Sequence, residues 1–481
     1  MEGAQPTRVV KVAVIGAGPA GLTSAKQLAA AGLHPTVFER ADGIGGVWRE
    51  MTSFSDFPLK PTASLFPTCG EMEAYLADYV AHFDLGRFIR LRTEVVHLKR
   101  IDWSSPGTDR WLVTCKSGTL CALELSGRTG RTETLEFDAV LLCCGVFWNP
   151  NLPRFPGQES FKGEAIHSHI YRVPEPYADK DVLLVGIGNS ALDISLDLAQ
   201  VARSVTISAR SGSLILSVEE AGQATDQKLL SRAAQRMAPE ERMQLFLSFQ
   251  LTTAFMQHGM PPPPRRPEHA HHSLVKKKDE YIARLEEGKI KIKPNIQRID
   301  GDKITFVDQT VMENCGAIIF CTGYNLTFPF IDDVSLLPGM EAGRLDLYKK
   351  VFHPFHPTLA FIAHVDAIGS IFAISEMQSR WVAKVGPREQ DSAASQTTML
   401  ADIEKHKQRL AVVKPKYPMF VSYPNYMDEL AQRIGCLPTP HKHLHQGRVK
   451  QILDDGPLLP TTYRLHGDDH WPHAGPTLAR L

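Results

Sequence analysis

The chain predicts an α/β fold with two Rossmann-like dinucleotide-binding domains, and three observations carry that prediction. A glycine fingerprint, Gly16-Ala17-Gly18-Pro19-Ala20-Gly21, follows one short apolar run. A second, Gly186-Ile187-Gly188-Asn189-Ser190-Ala191, follows another. The length of 481 residues is too great for one ordinary domain and suits two or three.

In the first unit, Val12-Ala13-Val14-Ile15 reads as a buried parallel strand. Gly16 permits the tight turn after it, Gly18 lets the backbone approach a pyrophosphate, and Gly21 allows close helix–strand packing. Pro19 and Ala20 open the following helix, whose Ala25, Leu28, Ala29 and Ala31 continue it. Its N-terminal dipole faces the phosphates. Thr36-Val37-Phe38 is the next strand, ending in Glu39 and Arg40. An acid about 20 residues beyond the fingerprint accepts from ribose hydroxyls, and its charge repels a 2′-phosphate. The site therefore suits FAD or NAD over NADP. Gly45-Gly46-Val47-Trp48 follows, with Gly46, Val47 and Trp48 expected on the flavin side; Trp48 reads equally well as core.

In the second unit, Val182-Leu183-Leu184-Val185 leads into Gly186, Gly188, Asn189 and Ser190, with Ala191 in the third small position and Asp193 in the helix. Val205-Thr206-Ile207 is the next strand. The acid is absent there; Ser208, Arg210 and Ser211 stand in its place. A guanidinium with hydroxyl donors suits a phosphate monoester, so this site is assigned NADPH. The plain alternative for Arg210 is a solvated residue at a strand end. Two dinucleotides on one chain imply electron transfer between them, and hence a flavin- and nicotinamide-dependent oxidoreductase.

Composition narrows the alternatives. Lys+Arg and Asp+Glu both number 53, which favours neither nucleic acid nor an anionic membrane. No apolar run reaches the roughly 18–20 residues of a spanning helix, and no secretory signal opens the chain. The eight cysteines form no CxxC pair, which argues against a disulfide reductase and for reduced thiols in an intracellular protein. Cys143-Cys144 lies in a strand-like run, where neighbouring side chains point to opposite faces. His269, His271 and His272, and the alternating His441, His443 and His445, lack carboxylate or cysteine partners at a known spacing, so no metal is expected. No GxSxG elbow or HExxH motif appears.

Between the fingerprints runs Phe161…Gly163…His167…Tyr171, which resembles the FxGxxxHxxx(Y/F) signature of the flavin-containing monooxygenases. Phe320-Cys321-Thr322-Gly323-Tyr324 is similar to that family's ATGY element, with Cys321 for Ala. Asn151-Leu152-Pro153, Phe155-Pro156-Gly157, Gly369-Ser370-Ile371-Phe372, Glu376-Met377-Gln378-Ser379-Arg380-Trp381 and Tyr426-Met427-Asp428-Glu429-Leu430 also follow the pattern. The resemblance runs from about Val10 to Trp471. It implies an FAD domain built from both chain ends with an NADPH domain inserted: 1–170 and 329–481 for FAD, 171–328 for NADPH. It implies that Gln378 joins the FAD site, and that NADPH reduces FAD, which activates O2 as a C4a-hydroperoxide. A soft nitrogen or sulfur of a small molecule then takes one oxygen. His167 lies in the connection between domains, implying a structural or conformational role for the signature. Related Baeyer–Villiger monooxygenases usually carry Trp where Tyr171 stands; they remain the alternative, distinguished by making an ester from a ketone.

One departure bears on chemistry. Many family members carry an asparagine-bearing stretch after the Gly-Gly-x-Trp element, near the reactive oxygen. Here Trp48 is followed at once by Arg49-Glu50-Met51-Thr52-Ser53, then Phe54-Ser55-Asp56-Phe57-Pro58. The asparagine's role is carried onto no residue; Thr52 and Ser53 offer hydroxyl donors nearby. An uncoupled NADPH oxidase, or a weakly catalytic flavoprotein acting as partner or sensor, therefore stays open beside the monooxygenase.

The remaining segments are less specific. Residues 223–257 have helical spacing, Pro261 to Pro264 predict an extended surface loop, and Lys276-Lys277-Lys278 a solvated face. Ile290-Lys291-Ile292 and Ile304-Thr305-Phe306 alternate like strands. The family resemblance sets a hydrophobic terminal anchor as a common feature; the chain stops at Leu481 with none, and a cytoplasmic protein is expected, with reversible membrane contact and a homodimer left open.

Overall fold

The computed structural model describes residues 9–45, 53–60, 62–64, 66–101, 109–118, 130–220, 223–264, 271–386, 395–413, 418–443 and 447–480. Two five-stranded parallel sheets organise them. The first has the spatial order Leu359–Phe361, Ala139–Leu142, Lys11–Ile15, His34–Phe38, Ile89–Arg90. Along Lys11–Ile15 the side chains divide by the pleat. Val12 and Val14 join the core under the helices Pro19–Ala30 and Ile371–Val385. Ala13 and Ile15 face an antiparallel sheet of Thr93–Ile101, Arg110–Ser117 and Thr132–Phe137. Burial on both faces is why this strand reads as an unbroken apolar run.

The second unit repeats the plan. Its order is Ile290–Lys293, Ser204–Ser208, Asp181–Val185, Cys315–Phe320, Glu164–His167. Val182 and Leu184 pack with the helices Asn189–Leu198 and Lys278–Glu286; Leu183 and Val185 pack with a second antiparallel trio, Ile296–Asp300, Lys303–Phe306 and Val311–Met312.

Two antiparallel stretches join the units. Pro150 bridges Tyr324, Asn151 N donates to Gly323 O at 2.9 Å, and Asn325 N donates to Asn149 O at 2.8 Å. Because Glu164–His167 pairs into the second sheet, the first crossing lies near Pro150, ahead of the expected boundary at residue 170.

The stretch from residue 223 to 257 forms four short helices, Thr225–Leu229, Arg232–Arg236, Pro239–Ser248 and Thr252–Gln257. A parallel strand pair, Ser213–Ser217 with His271–Val275, was not legible beforehand. The proline run is partly buried because it packs on Gly212, where a Cβ would lie 2.0 Å from Pro261 O. Lys276 and Lys277 are exposed and pair with Asp193 and Glu280. Cys143 and Cys144 do point to different cores. Among the described residues no cluster of three metal-ligating side chains exists, and no helix is long and apolar enough to cross a membrane.

Candidate cofactor crevices

Both sheets change direction at their first fingerprint strand. Lys11–Ile15 is flanked by His34–Phe38 and Ala139–Leu142, and Asp181–Val185 by Ser204–Ser208 and Cys315–Phe320. A crevice opens at the carboxyl end of such a switch point, the place where open α/β sheets take ligands. The turns there match closely. Gly16 N donates to Phe38 O and Gly186 N to Ser208 O, both at 2.8 Å. Gly16 has φ +108° and Gly186 φ +112°, and a Cβ would sit 2.7 Å from Cys143 O or 2.5 Å from Cys321 O. Only glycine satisfies both the conformation and the approach.

The third small positions differ. At Gly21 a Cβ would fall 1.8 Å from Gly16 O, whereas Ala191 is accommodated, fully buried. The first helix therefore lies closer to its turn. At Gly188, φ is −83° and a Cβ would meet nothing within 4 Å. That backbone faces open crevice, with Asn189–Leu198 starting behind it. Pro19 starts the first helix without costing a donor. Ala20 is buried beside it. Both cradles fit a pyrophosphate.

Glu39 is half-buried, and its carboxylate accepts from Ala17 N at 2.8 Å and Ala41 N at 2.9 Å. These two donors hold the acid at the fingerprint turn. Arg40 is exposed, with its guanidinium 5.3 Å from the Trp148 ring. Gln378 is fully buried: its Oε1 accepts from Ala363 N at 2.7 Å and its Nε2 donates to Tyr426 Oη at 2.8 Å. Both polar atoms of its amide are thus engaged within the protein. Gly46, Val47, Trp48 and Thr52 lie outside the described residues. Ser53 is half-buried at the start of the next stretch.

At the second crevice Asn189 Oδ1 accepts from Leu274 N at 2.9 Å, tying the fingerprint to the extra strand pair. Ser190 is exposed at the helix start; Asp193 is exposed one turn in, 3.7 Å from Lys276. Ser208 is buried and its hydroxyl donates to Pro294 O at 3.0 Å. Arg210 is exposed beyond the strand end and has no protein partner among the described residues.

The signature stretch has a structural account. His167 Nε2 lies 3.0 Å from Gly323 O, and its Nδ1 accepts from His169 N at 3.0 Å. Nε2 therefore carries the proton. Burial pushes His167 below the usual histidine range, and the Gly323 carbonyl only partly opposes this. Phe161 packs against Gly163, where a Cβ would sit 2.5 Å from the ring. Tyr171 Oη donates to Asp197 at 2.6 Å. His167 thus fastens the edge strand to the returning connection.

A buried ionic network, unseen in the sequence, lies behind the first crevice. Arg464 Nη2 contacts Glu376 at 2.7 Å and Asp56 at 3.0 Å; Ser55 donates to Glu376 at 2.6 Å. Arg380 holds Asp469 at 2.6 Å, and Lys26 pairs with Asp56. Burial pushes the Glu376 carboxyl up, but Arg464, Lys26 and Arg380 outweigh it and hold the carboxyl below its ordinary range. The EMQSR motif was the available signal, though nothing local named Arg464.

A pattern described as flavin-binding monooxygenase-like matches residues 49–479, and one described as an NAD(P)-binding Rossmann-like domain matches 14–83. The chain is 33% identical over 498 residues to the N-oxide-forming dimethylaniline monooxygenase 2 of Rattus norvegicus, spanning 96% of this chain and 90% of that protein. It is 32% identical over 496 residues to flavin-containing monooxygenase 2 of Homo sapiens, spanning 96% and 89%. Among solved structures, S-allyl-L-cysteine S-oxygenase from Allium sativum aligns with a TM-score of 0.62 at 24% identity, over 98% of each chain. NADP+-bound cyclohexanone monooxygenase from Rhodococcus sp. Phi1 aligns with a TM-score of 0.64 at 17% identity, over 90% of this chain and 98% of that one. These likenesses establish the shared fold.

Proposed function

The chain belongs to the flavin-binding monooxygenase-like family, and from that premise we propose that it uses FAD and NADPH to place one oxygen of O2 on a nitrogen or sulfur of a small molecule. The observation that carries this reading is the pair of matching switch-point crevices on one chain. The first unit, formed by both ends of the described chain, takes FAD; the inserted unit takes NADPH. Gly16, Gly18, Pro19, Ala20 and Gly21 form the FAD pyrophosphate cradle, and Glu39 favours ribose hydroxyls while repelling a 2′-phosphate. Gly186, Gly188, Asn189 and Ser190 form the second cradle. Arg210 is the cation free to meet the 2′-phosphate there.

Bound flavin supplies electron storage and oxygen activation, while the protein supplies orientation and exclusion of water. Neutral His167 holds the edge strand on the connection between units. Glu376 and Arg464 anchor Ser55 and Asp56, fixing the stretch that leaves the flavin side.

The test begins with purified yellow protein. NADPH should bleach it without air, and subsequent air with a thioether or tertiary amine should yield the oxide in step with NADPH consumed. Hydrogen peroxide equal to NADPH, with no oxide, would assign an NADPH oxidase. Ester from a ketone in place of oxide would assign Baeyer–Villiger chemistry.

A further inference from the structure

We propose that Ser273, on the strand His271–Val275, is a positioning residue for the pyrophosphate of NADPH: its buried hydroxyl holds the Ile187–Gly188 peptide so that the Gly188 N–H faces the second crevice. The proposal rests on the NADPH reading of that crevice and adds the residue that orients its cradle.

The strand pair Ser213–Ser217 with His271–Val275 packs against the second fingerprint, and Ile187, Ile215 and Val275 share one buried core. Two successive residues of the pair reach the fingerprint turn. Ser273 Oγ donates to Ile187 O at 2.9 Å, and Leu274 N donates to Asn189 Oδ1 at 2.9 Å. Ser273 is fully buried, and so is Ser213, whose hydroxyl lies 2.8 Å from that of Ser273. A serine hydroxyl has one proton to give. That of Ser273 serves Ile187 O, so Ser213 donates to Ser273. The two hydroxyls form a relay that ends on a fingerprint carbonyl.

The held carbonyl fixes the amide beyond it. In a trans peptide the C=O and N–H point in opposite directions. Ile187 O points into the buried relay, so the Gly188 N–H points away from it. That N–H meets no acceptor among the described residues. A Cβ on Gly188 would meet nothing within 4 Å, so the space beside it is open. A free N–H at the start of the helix Asn189–Leu198 is a donor for an anionic oxygen. Gly188 itself tolerates either orientation of the peptide before it, because glycine admits both signs of φ. The Ser273 bond selects the orientation that serves a phosphate.

The first cradle holds the matching peptide by other means. There Ala17 O accepts from Gly45 N at 3.3 Å, a main-chain donor that no side-chain replacement removes. In the second cradle the donor is a side-chain hydroxyl, and one substitution deletes it. Affinity for NADPH can therefore be altered at Ser273 with the FAD cradle untouched.

The test uses the FAD-loaded full chain, with NADP+ and adenosine 2′-phosphate as probes in calorimetry. Adenosine 2′-phosphate lacks the pyrophosphate and keeps the group assigned to Arg210. Ser273→Ala should weaken NADP+ about three- to tenfold, the range of one ordinary hydrogen bond, and leave adenosine 2′-phosphate binding and FAD content unchanged. Ser213→Ala removes a neighbouring buried hydroxyl but keeps the bond to Ile187 O, and should bind NADP+ nearly as the unaltered protein does. Equal NADP+ affinity in the unaltered protein and Ser273→Ala would overturn the anchor. So would parallel losses for both probes, or equal losses in the two variants, since either would mean a general loosening of the unit. If Ser273→Ala does not fold, Ser273→Cys, close in shape and a weaker donor, answers by the same comparison. If the unaltered protein binds NAD+ and not NADP+, the NADPH reading falls, and the comparison made with NAD+, which shares the pyrophosphate, still decides the role of Ser273. Binding of neither dinucleotide would overturn both.

Discussion

At the scale of single residues, the two fingerprints use glycine for different reasons, and substitution separates them. A Cβ at Gly21 collides with Gly16 O, whereas one at Gly188 enters open crevice on a backbone that alanine readily adopts. Gly21→Ala should therefore cost about 3 kcal/mol of stability and lower flavin content, read from thermal unfolding and flavin absorbance. Gly188→Ala should leave the melting temperature in place and weaken NADPH binding about tenfold or more, as expected for one lost backbone–phosphate hydrogen bond. Arg210 adds the charge test. Arg210→Ala should raise KM for NADPH by about 10–100-fold while leaving that for NADH nearly unchanged; equal effects on both would remove Arg210 from the 2′-phosphate. Ser208, placed beside it by sequence position, contributes less because its proton already serves Pro294 O.

At the scale of elements, the buried network joins segments that are distant in sequence. Lys26 belongs to the first helix, Asp56 to the loop ahead of the Cys69–His82 helix, Glu376 and Arg380 to the Ile371–Val385 helix, and Arg464 and Asp469 to the C-terminal stretch. Glu376→Gln should leave Arg464 undercompensated in a dry interior and cost about 3–5 kcal/mol, measured by urea unfolding. Glu376 and Asp469 both sit below their ordinary values of 4.5 and 3.8. Their stabilisation is therefore complete above those values and is lost as pH falls through the lower folded ones. The gap between the native protein and Glu376→Gln should accordingly persist down to about pH 4.5 and close only below it. No such network was legible in the sequence, because each member is an ordinary charge in its own segment and only tertiary pairing makes it a core group. The two strands that lead into the fingerprints were legible, since burial on both faces writes an unbroken apolar run. Thr132–Phe137 escaped for the opposite reason: it is half-exposed, and its Glu133 and Glu136 pair with Arg90 and Arg110.

At the scale of the molecule, the chain repeats one architecture twice, and transfer between cofactors depends on how the copies face each other. The crossing connection at Asn149–Asn151 and Thr322–Thr327 is one tie, and in the sequence its two segments stood out only through the family resemblance. The second tie was not visible. Arg232, on the helical insert, clasps Asp428 and lies 3.4 Å from Tyr463 Oη, which itself donates to Asp428 at 2.7 Å; Arg232 N also donates to Gly456 O at 2.8 Å. The insert read only as helical spacing because its purpose lies in a contact more than 190 residues along the chain. Removing one tie should loosen how the units face each other. Arg232→Ala should therefore keep FAD content and NADPH affinity close to native, since neither cradle includes it. It should slow anaerobic reduction of the flavin by NADPH about tenfold or more, because displacements near 1 Å at a reacting centre carry costs of that order. It should also speed backbone hydrogen exchange over Arg232–Arg236 and residues 455–464. Faster exchange with an unchanged reduction rate would mean that the crossing connection alone sets the geometry of hydride transfer, and that the insert serves the substrate side of the crevice instead.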